Sequence, residues 1–227
     1  MTHPPTSTVD SQAPVIWDLP TRLFHWLLVL LLVGSFLSAK AGGLWIDWHF
    51  RAGYAILALI AFRIIWGFVG GRYARFRSFV FGPRQFLAYL RGAPGSPAGP
   101  GHNPLGALSV FAMLLLVGAQ AVLGLFANDD IASEGPLASQ VSKRTSDYLT
   151  GLHLDNEPFL LGLIGLHVVA IAWYRLVRGR KLVAAMITGR DPQAPAGTAS
   201  SRDDARLRLA ALGILAVIAF AVWLLVR

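Results

Sequence analysis

The chain has 227 residues, no cysteine and a formal net charge of +8, with 55% of its residues hydrophobic and 14% charged. Soluble domains usually contain about 25% charged residues, so this composition indicates a membrane protein. The lack of cysteine excludes disulfides, iron–sulfur clusters and haem attached through Cys-x-x-Cys-His.

Five apolar runs follow a polar, proline-rich segment at residues 1–14, which we predict to be a disordered tail. Each run approaches the length of about 20 residues that spans a bilayer. The first lacks an Ala-x-Ala-like cleavage site and contains a histidine, so we expect it to be retained. We expect the helices of the second and fourth runs to begin slightly before the runs themselves, so that they include His49 and Leu152. The runs are Leu23–Lys40, Phe50–Val69, Leu105–Ala127, Phe159–Val177 and Leu207–Val226.

Two stretches of a different composition separate these runs. Residues 91–103 are rich in glycine and proline and predict a loop, after which Pro104 suits the first turn of a helix. Residues 191–204 predict a polar linker before the last run. The sequence therefore predicts an all-α integral membrane protein. We expect a four-helix transmembrane bundle over residues 15–190 and a fifth, C-terminal transmembrane helix over residues 205–227.

The charged residues are distributed unevenly between the loops. Basic residues follow the second and fourth runs. The segment between the third and fourth runs contains six acidic residues and only two basic ones, Lys143 and Arg144. Because basic loops stay in the cytoplasm, we expect a cytoplasmic N-terminus and an external C-terminus. The positive charge thus indicates topology and not nucleic-acid binding. The basic residues are Arg72, Arg75, Arg77, Arg84, Arg91, Arg175, Arg178, Arg180 and Lys181, and the acidic ones Asp129, Asp130, Glu134, Asp147, Asp155 and Glu157.

Four histidines lie at or inside the apolar runs: His25, His49, His153 and His167. Ionisable side chains in a bilayer are costly and usually mark a functional site. His153 and His167 share one predicted helix at a separation of 14 residues. This spacing gives a rise of about 21 Å and places both on one face, about 40° short of four full turns. The topology then places His49 with His153 toward the outer surface and His25 with His167 toward the inner surface.

Each of these two levels offers two imidazoles from different helices, which is what a six-coordinate haem iron needs inside a helical bundle. Taken alone, His49 or His153 is more readily interpreted as a hydrogen-bonded polar side chain at the membrane surface. Zinc and di-iron sites need three or four clustered ligands, so the paired pattern favours haem. We predict that His3, in the tail, and His102, in the loop, are not ligands.

Arg63 follows His49 by 14 residues, so it lies on the same helix face but at the inner level. Its guanidinium could bind a haem propionate through a bidentate pair of hydrogen bonds. It could equally extend to the lipid headgroups of the inner surface. Gly53, Gly162 and Gly165 could leave space for a macrocycle between the helices.

Several segments carry a resemblance to a known family: IWDLPTRLFHW, WHFRAGYAILALIAFRIIWGFVGGRYARF, HNPLGALSVFAMLLLVGAQAVLGLF, and two Leu-His pairs 14 residues apart. Over about Val15–Arg190 the chain resembles the bacterial cytochrome b561 family, which includes the cytochrome b subunits of nickel–iron hydrogenases. The resemblance implies a four-helix core with two non-covalent b-type haems. His25, His49, His153 and His167 match the family's ligands, whereas the fifth helix lies outside the pattern.

Two stacked bis-histidine haems would carry electrons between the two surfaces of a bacterial inner membrane. We expect a cytochrome c or a hydrogenase-type subunit as the outer redox partner, and the quinone pool or the inner side at the other end. On this interpretation the chain is an electron-transfer subunit of an oxidoreductase. Two alternatives stay open: a self-contained quinone/superoxide oxidoreductase, and a haem-free transporter whose histidines relay protons.

Overall fold

The structure is a computed structural model that describes residues 13–93 and 100–227. Most of the predicted N-terminal tail, including His3, and part of the loop at residues 91–103 lie outside the described residues. Every secondary-structure element within them is a helix, apart from two isolated β-bridges. The helices are α1 (Leu19–Ala41), α2 (Ile46–Val69), α3 (Pro83–Leu90), α4 (Pro104–Gly124), α5 (Lys143–Leu176), α6 (Leu182–Thr188) and α7 (Ala205–Val226).

Five of these helices, α1, α2, α4, α5 and α7, are long and apolar enough to cross a membrane. The all-α membrane fold is therefore confirmed, with one helix at each predicted run. The short helices α3 and α6 were not predicted. Helix α5 begins at Lys143, well before the predicted start, and has 34 residues. Its length of about 51 Å exceeds the hydrocarbon core of about 30 Å, so it extends beyond the membrane.

Side-chain caps explain where four of the long helices begin. Each cap accepts a hydrogen bond from a main-chain N–H in the first turn, which would otherwise have no partner in the helix. Proline follows the cap in the first turn of α1 and α4, where it needs no hydrogen bond. The caps are Asp18 for α1, Asn103 for α4, Ser142 for α5 and Asp204 for α7, at 2.8, 2.7, 3.2 and 2.9 Å.

Helix α2 is the centre of the bundle, because it packs against α1, α4 and α7, while α5 packs against α4. The core is formed largely by α2 residues such as Ile56, Leu59 and Trp66, which join Val117 of α4 and Ala211 of α7. Helices α1 and α5 have little direct contact. The four helices therefore form a ring that is open between α1 and α5.

The bundle has two chemically different ends. At the basic end α1, α4 and α7 begin and α2 and α5 end. The opposite end of the bundle is the acidic end. At the acidic end an ion pair joins α1 to α5, with 2.8 Å between Lys40 Nζ and Glu157 Oε1. At the basic end the segment 191–204 packs on the bundle. There Ser201 Oγ accepts from the main-chain N–H of Arg72 at 3.0 Å, and Ser201 N donates to Val15 O at 2.7 Å.

Asp18 joins the beginning of α1 to the end of α2. Its carboxylate is 1% exposed. It accepts hydrogen bonds from Thr21 N at 2.8 Å, Trp66 Nε1 at 3.2 Å and Gly71 N at 3.0 Å. A Cβ at Gly71 would lie 2.3 Å from Asp18 Oδ2 and 2.5 Å from Ser201 Oγ, so only glycine fits there.

We predict that Asp18→Ala lowers the free energy of unfolding by about 3 kcal/mol, because it leaves three donors without their acceptor. Thermal unfolding of the detergent-solubilised protein measures the change. Asp155→Ala removes an exposed carboxylate from α5 and serves as the control, with little expected effect. Equal midpoints for the two variants would contradict the role given to Asp18.

Candidate functional site

At the acidic end the structure brings His49 of α2 and His153 of α5 together. Their ring centroids are 6.2 Å apart and the ring planes lie at 87°. His49 Nδ1 donates to Ser35 O at 2.9 Å, and His153 Nδ1 donates to Gln120 O at 3.0 Å. A main-chain acceptor at Nδ1 fixes the orientation of each ring and makes Nε2 the nitrogen that would hold a metal. In His153 this Nε2 accepts a hydrogen bond from the Gln120 amide, which a metal would have to replace.

Two amides that the sequence did not single out surround His153. Asn156 Nδ2 donates to Gln120 Oε1 at 2.7 Å, and Gln120 Nε2 is 3.2 Å from His153 Nε2. Gly124 lies against the same ring, because a Cβ there would be 3.1 Å from His153 Cε1. The His153 ring therefore packs against Gly124 on one side and is hydrogen-bonded to Gln120 of α4, which is bonded in turn to Asn156 of α5.

At the basic end His25 of α1 and His167 of α5 are both half-buried. They are close enough for their charges to interact. His25 Nδ1 is buried and has no hydrogen-bond partner in the described part of the chain. The two histidines predicted for the inner level thus lie within electrostatic range of each other.

Arg63 lies inside the bundle and not at its surface. The residue is 3% exposed, and its Cζ lies 5.0 Å from the centre of the Phe76 ring. Its charge is in range of Asp18 and His102. Its Nη1 is buried and no described residue accepts a hydrogen bond from it. A buried guanidinium with a free N–H group is a site for an oxygen anion.

His102 also belongs to this region, although it lies outside the membrane-spanning helices. Its ring centroid is 4.5 Å from that of Phe79 and 4.8 Å from that of Trp17. Burial, together with the charges of Arg63 and His167, lowers the pKa of His102 to about 3, so the ring stays neutral. The sequence placed this residue in a loop and could not show that the loop folds onto the bundle.

A membrane bundle with paired imidazoles at two depths defines the class of protein. The family model described as prokaryotic cytochrome b561 matches residues 16–189. No curated protein and no solved structure matched the chain. The chain therefore belongs to the prokaryotic cytochrome b561 family and is a membrane b-type cytochrome of electron transfer. The predicted family is confirmed.

Members of this family bind haem b, and the residues present fit such a group. His49 and His153 come from different helices with 6.2 Å between their ring centroids, so the two imidazoles would hold one iron between them. A Cβ added at Gly34, Gly53 or Gly162 would meet no atom within 4 Å, so no protein atom occupies the space beside these glycines. Within residues 13–93 and 100–227 no three His, Cys, Asp or Glu side chains cluster as metal ligands.

His102 gives a testable dependence of stability on pH. The unfolded chain binds a proton at this imidazole near pH 6.5, whereas the folded chain does so only near pH 3. Neutral His102 therefore contributes fully to the free energy of unfolding above about pH 6.5. This contribution is lost as the pH falls toward 3, by about 1.4 kcal/mol per pH unit.

We expect acidification from pH 6.5 to pH 5 to destabilise the protein by about 2 kcal/mol more than the variant His102→Phe. Phenylalanine keeps the aromatic packing but does not titrate. Unfolding of the purified protein and the variant at the two pH values gives the difference, since the other titrating groups are common to both. The same pH dependence in both proteins would contradict the assignment.

Proposed function

We propose that the chain holds two haem b groups and carries electrons across the membrane between a redox partner at the acidic end and the quinone pool or the basic end. His49 and His153 would hold one iron, and His25 and His167 the other. The main observation in support is the pair His49 and His153, which come from different helices with 6.2 Å between ring centroids. The two matched hydrogen bonds at Nδ1 support the same assignment.

When bound, haem b supplies an iron that takes up and releases single electrons. An imidazole on each side of the iron leaves no position for a substrate, which favours electron transfer. His153 and His167 are 14 residues apart on α5, a rise of about 21 Å, so the two pairs lie near opposite surfaces of the membrane. Helix α5 thus contributes one ligand to each level.

Arg63 would bind a propionate of the haem at the basic end. Its buried position and its free Nη1 favour this role over contact with lipid headgroups. Asp18 is in range of Arg63 but is already bonded to Thr21, Trp66 and Gly71. The guanidinium therefore keeps hydrogen-bonding capacity for a second carboxylate.

The charge distribution supports an orientation with the basic end and the N-terminus in the cytoplasm of a bacterium, and thus an inner-membrane location. The loop after α2 contains arginine and no acidic residue, whereas the loop between α4 and α5 is acidic. Basic segments remain on the cytoplasmic side during insertion. The external partner would then meet the acidic end.

The loop between α4 and α5 has features of a docking surface for a basic redox protein, such as a cytochrome c or a hydrogenase-type subunit. Three main-chain N–H groups donate to Asp129 and hold its pKa well below the usual range, so it stays charged. Asp130 and Glu134 are exposed nearby, and Ile131 is 91% exposed. Lys143 pairs with Asp130 and Asp147 and offsets part of the charge. Such a surface steers the encounter with a cationic partner.

We predict that His153→Ala and His167→Ala each remove one of two haems or convert it to a high-spin form, because each variant lacks one axial ligand. The His153 variant should affect the haem at the acidic end and the His167 variant the one at the basic end. Haem content per chain, absorption spectra and redox titration measure the effect, and His3→Ala is the matched control.

Two low-spin haems with unchanged potentials in either variant would show that the ligand assignment is wrong. A reduced-minus-oxidised spectrum without b-type bands would instead support the proton-relay alternative. Reduction of quinone by superoxide with the purified chain alone would favour a self-contained oxidoreductase over an electron-transfer subunit.

We further predict that truncation before Ala205 leaves both haems in place. Helix α7 carries no histidine and packs on α2 and α1, away from α5. Its loss could weaken assembly with a partner subunit. Haem content of the inserted, truncated protein is the measurement, and loss of haem would show that α7 belongs to the cofactor bundle.

A further inference from the structure

A cavity of about 450 Å³ lies at the basic end, apart from the histidine pairs. The loop after α2 forms one wall and the segment before α7 forms the other. Four arginines and two serines line the cavity, which is open to the surface, and no acidic residue is among those that line it. The lining residues are Arg72, Arg75, Arg77, Ser78, Ser200 and Arg202.

Hydrogen bonds hold the two walls together. Tyr73 OH donates to Ala199 O at 2.7 Å, and the main-chain N–H of Arg72 donates to Ser201 Oγ at 3.0 Å. Ser200 Oγ accepts from Val15 N at 3.1 Å, which fixes the second wall to the start of the bundle. The backbone that positions the arginines is therefore set by the fold.

The arginines of this cavity are only partly neutralised by the protein. Arg202 forms an ion pair with Asp204, in which Nε at 3.0 Å and Nη2 at 2.9 Å both donate to Oδ2. Arg72, Arg75 and Arg77 form no ion pair with any residue that the structure describes, and Arg75 Nε is buried without a partner. Three guanidinium groups around one cavity repel one another unless an anion joins them. Arginine matches the geometry of phosphate oxygens through paired N–H groups.

The depth of the cavity indicates where the anion comes from. The cavity lies just after the end of α2 and just before the start of α7, two helices long and apolar enough to cross a membrane, and from this we infer that it lies at the level of the lipid headgroups. Just inside the membrane the same two helices expose apolar side chains, with Phe68 70% and Leu209 67% exposed. Basic pockets between transmembrane helices on the cytoplasmic side bind anionic lipid headgroups. Acyl chains beside Phe68 and Leu209 would bring a headgroup phosphate to this cavity.

We propose that this cavity is a binding site for the phosphate of an anionic glycerophospholipid, with Arg72, Arg75 and Arg77 as its ligands. The acyl chains lie against α2 and α7, so the lipid joins the fifth helix to the four-helix core. The site depends on neither haem nor the redox partner. The orientation proposed above places it in the cytoplasmic leaflet.

The full-length protein in a neutral detergent is titrated with phosphatidylglycerol, phosphatidylcholine or inorganic phosphate, and the rise in melting temperature gives an apparent Kd. We expect phosphatidylglycerol to bind and stabilise, with much weaker effects of the other two. Arg72→Gln combined with Arg77→Gln should weaken binding about tenfold or more. Arg84→Gln combined with Arg91→Gln removes the same charge from equally exposed residues that do not line the cavity and should change the Kd less than about twofold.

Equal Kd values for the two double variants, or equal binding of the two lipids, would overturn the proposal. Stabilisation by inorganic phosphate as strong as that by phosphatidylglycerol would indicate a soluble anion and overturn the lipid assignment. Polyglutamate is added as a model of an acidic protein. If it binds and phosphatidylglycerol cannot displace it, the cavity is a protein-docking surface and the lipid assignment is overturned. If the double variant is not recovered folded, the single variants Arg77→Gln and Arg84→Gln give the same comparison.

Discussion

A polar side chain inside a bilayer must find a partner within the protein, because the hydrocarbon core offers none. His49 and His153 meet this requirement with main-chain carbonyls of neighbouring helices. These bonds fix the orientation of each ring and assign the proton to Nδ1, so that Nε2 is the acceptor nitrogen, which in His153 is bonded to the Gln120 amide. Arg63 meets the requirement only in part, since one of its nitrogens has no partner among the described residues. The candidate site thus contains both kinds of polar group. The imidazoles are oriented by hydrogen bonds within the protein, whereas Arg63 keeps an N–H group for which no described residue is an acceptor.

The position of α2 follows from the same requirement. This helix carries both His49 and Arg63 and is the most buried of the five spanning helices. Its apolar residues bind α1, α4 and α7 together, and Asp18 fixes its far end through Trp66 and Gly71. Helix α5, in contrast, is mostly exposed and contacts mainly α4. The bundle thus packs tightly around α2 and stays open toward the histidines of α5.

The membrane class could be predicted because apolar length is a local property of the sequence. The family could be predicted because the chain resembles it in several contiguous segments and in the spacing of two histidines. The start of α5 could not, because the residues after Lys143 are polar and their helix is supported by contacts such as that between Asn128 and Ser146. His102 was placed correctly in a loop, but its contact with Phe79 depends on the loop folding back. Gln120 and Asn156 were missed because single amides in apolar helices carry no spacing signal. Each of these features depends on tertiary contacts between segments that are distant in the sequence.

The two ends of the bundle balance their charges differently. At the acidic end the chain pairs its own charges, through Lys143 with Asp130 and Asp147 and through Lys40 with Glu157. At the basic end several arginines are paired in the same way, but the three on the loop after α2 have no acidic partner within the described residues. Positive charge is sufficient to set topology without a shaped cavity, so topology alone does not explain why these arginines converge. Their convergence on one cavity, held by hydrogen bonds of the main chain, is accounted for if the membrane itself supplies the missing anion.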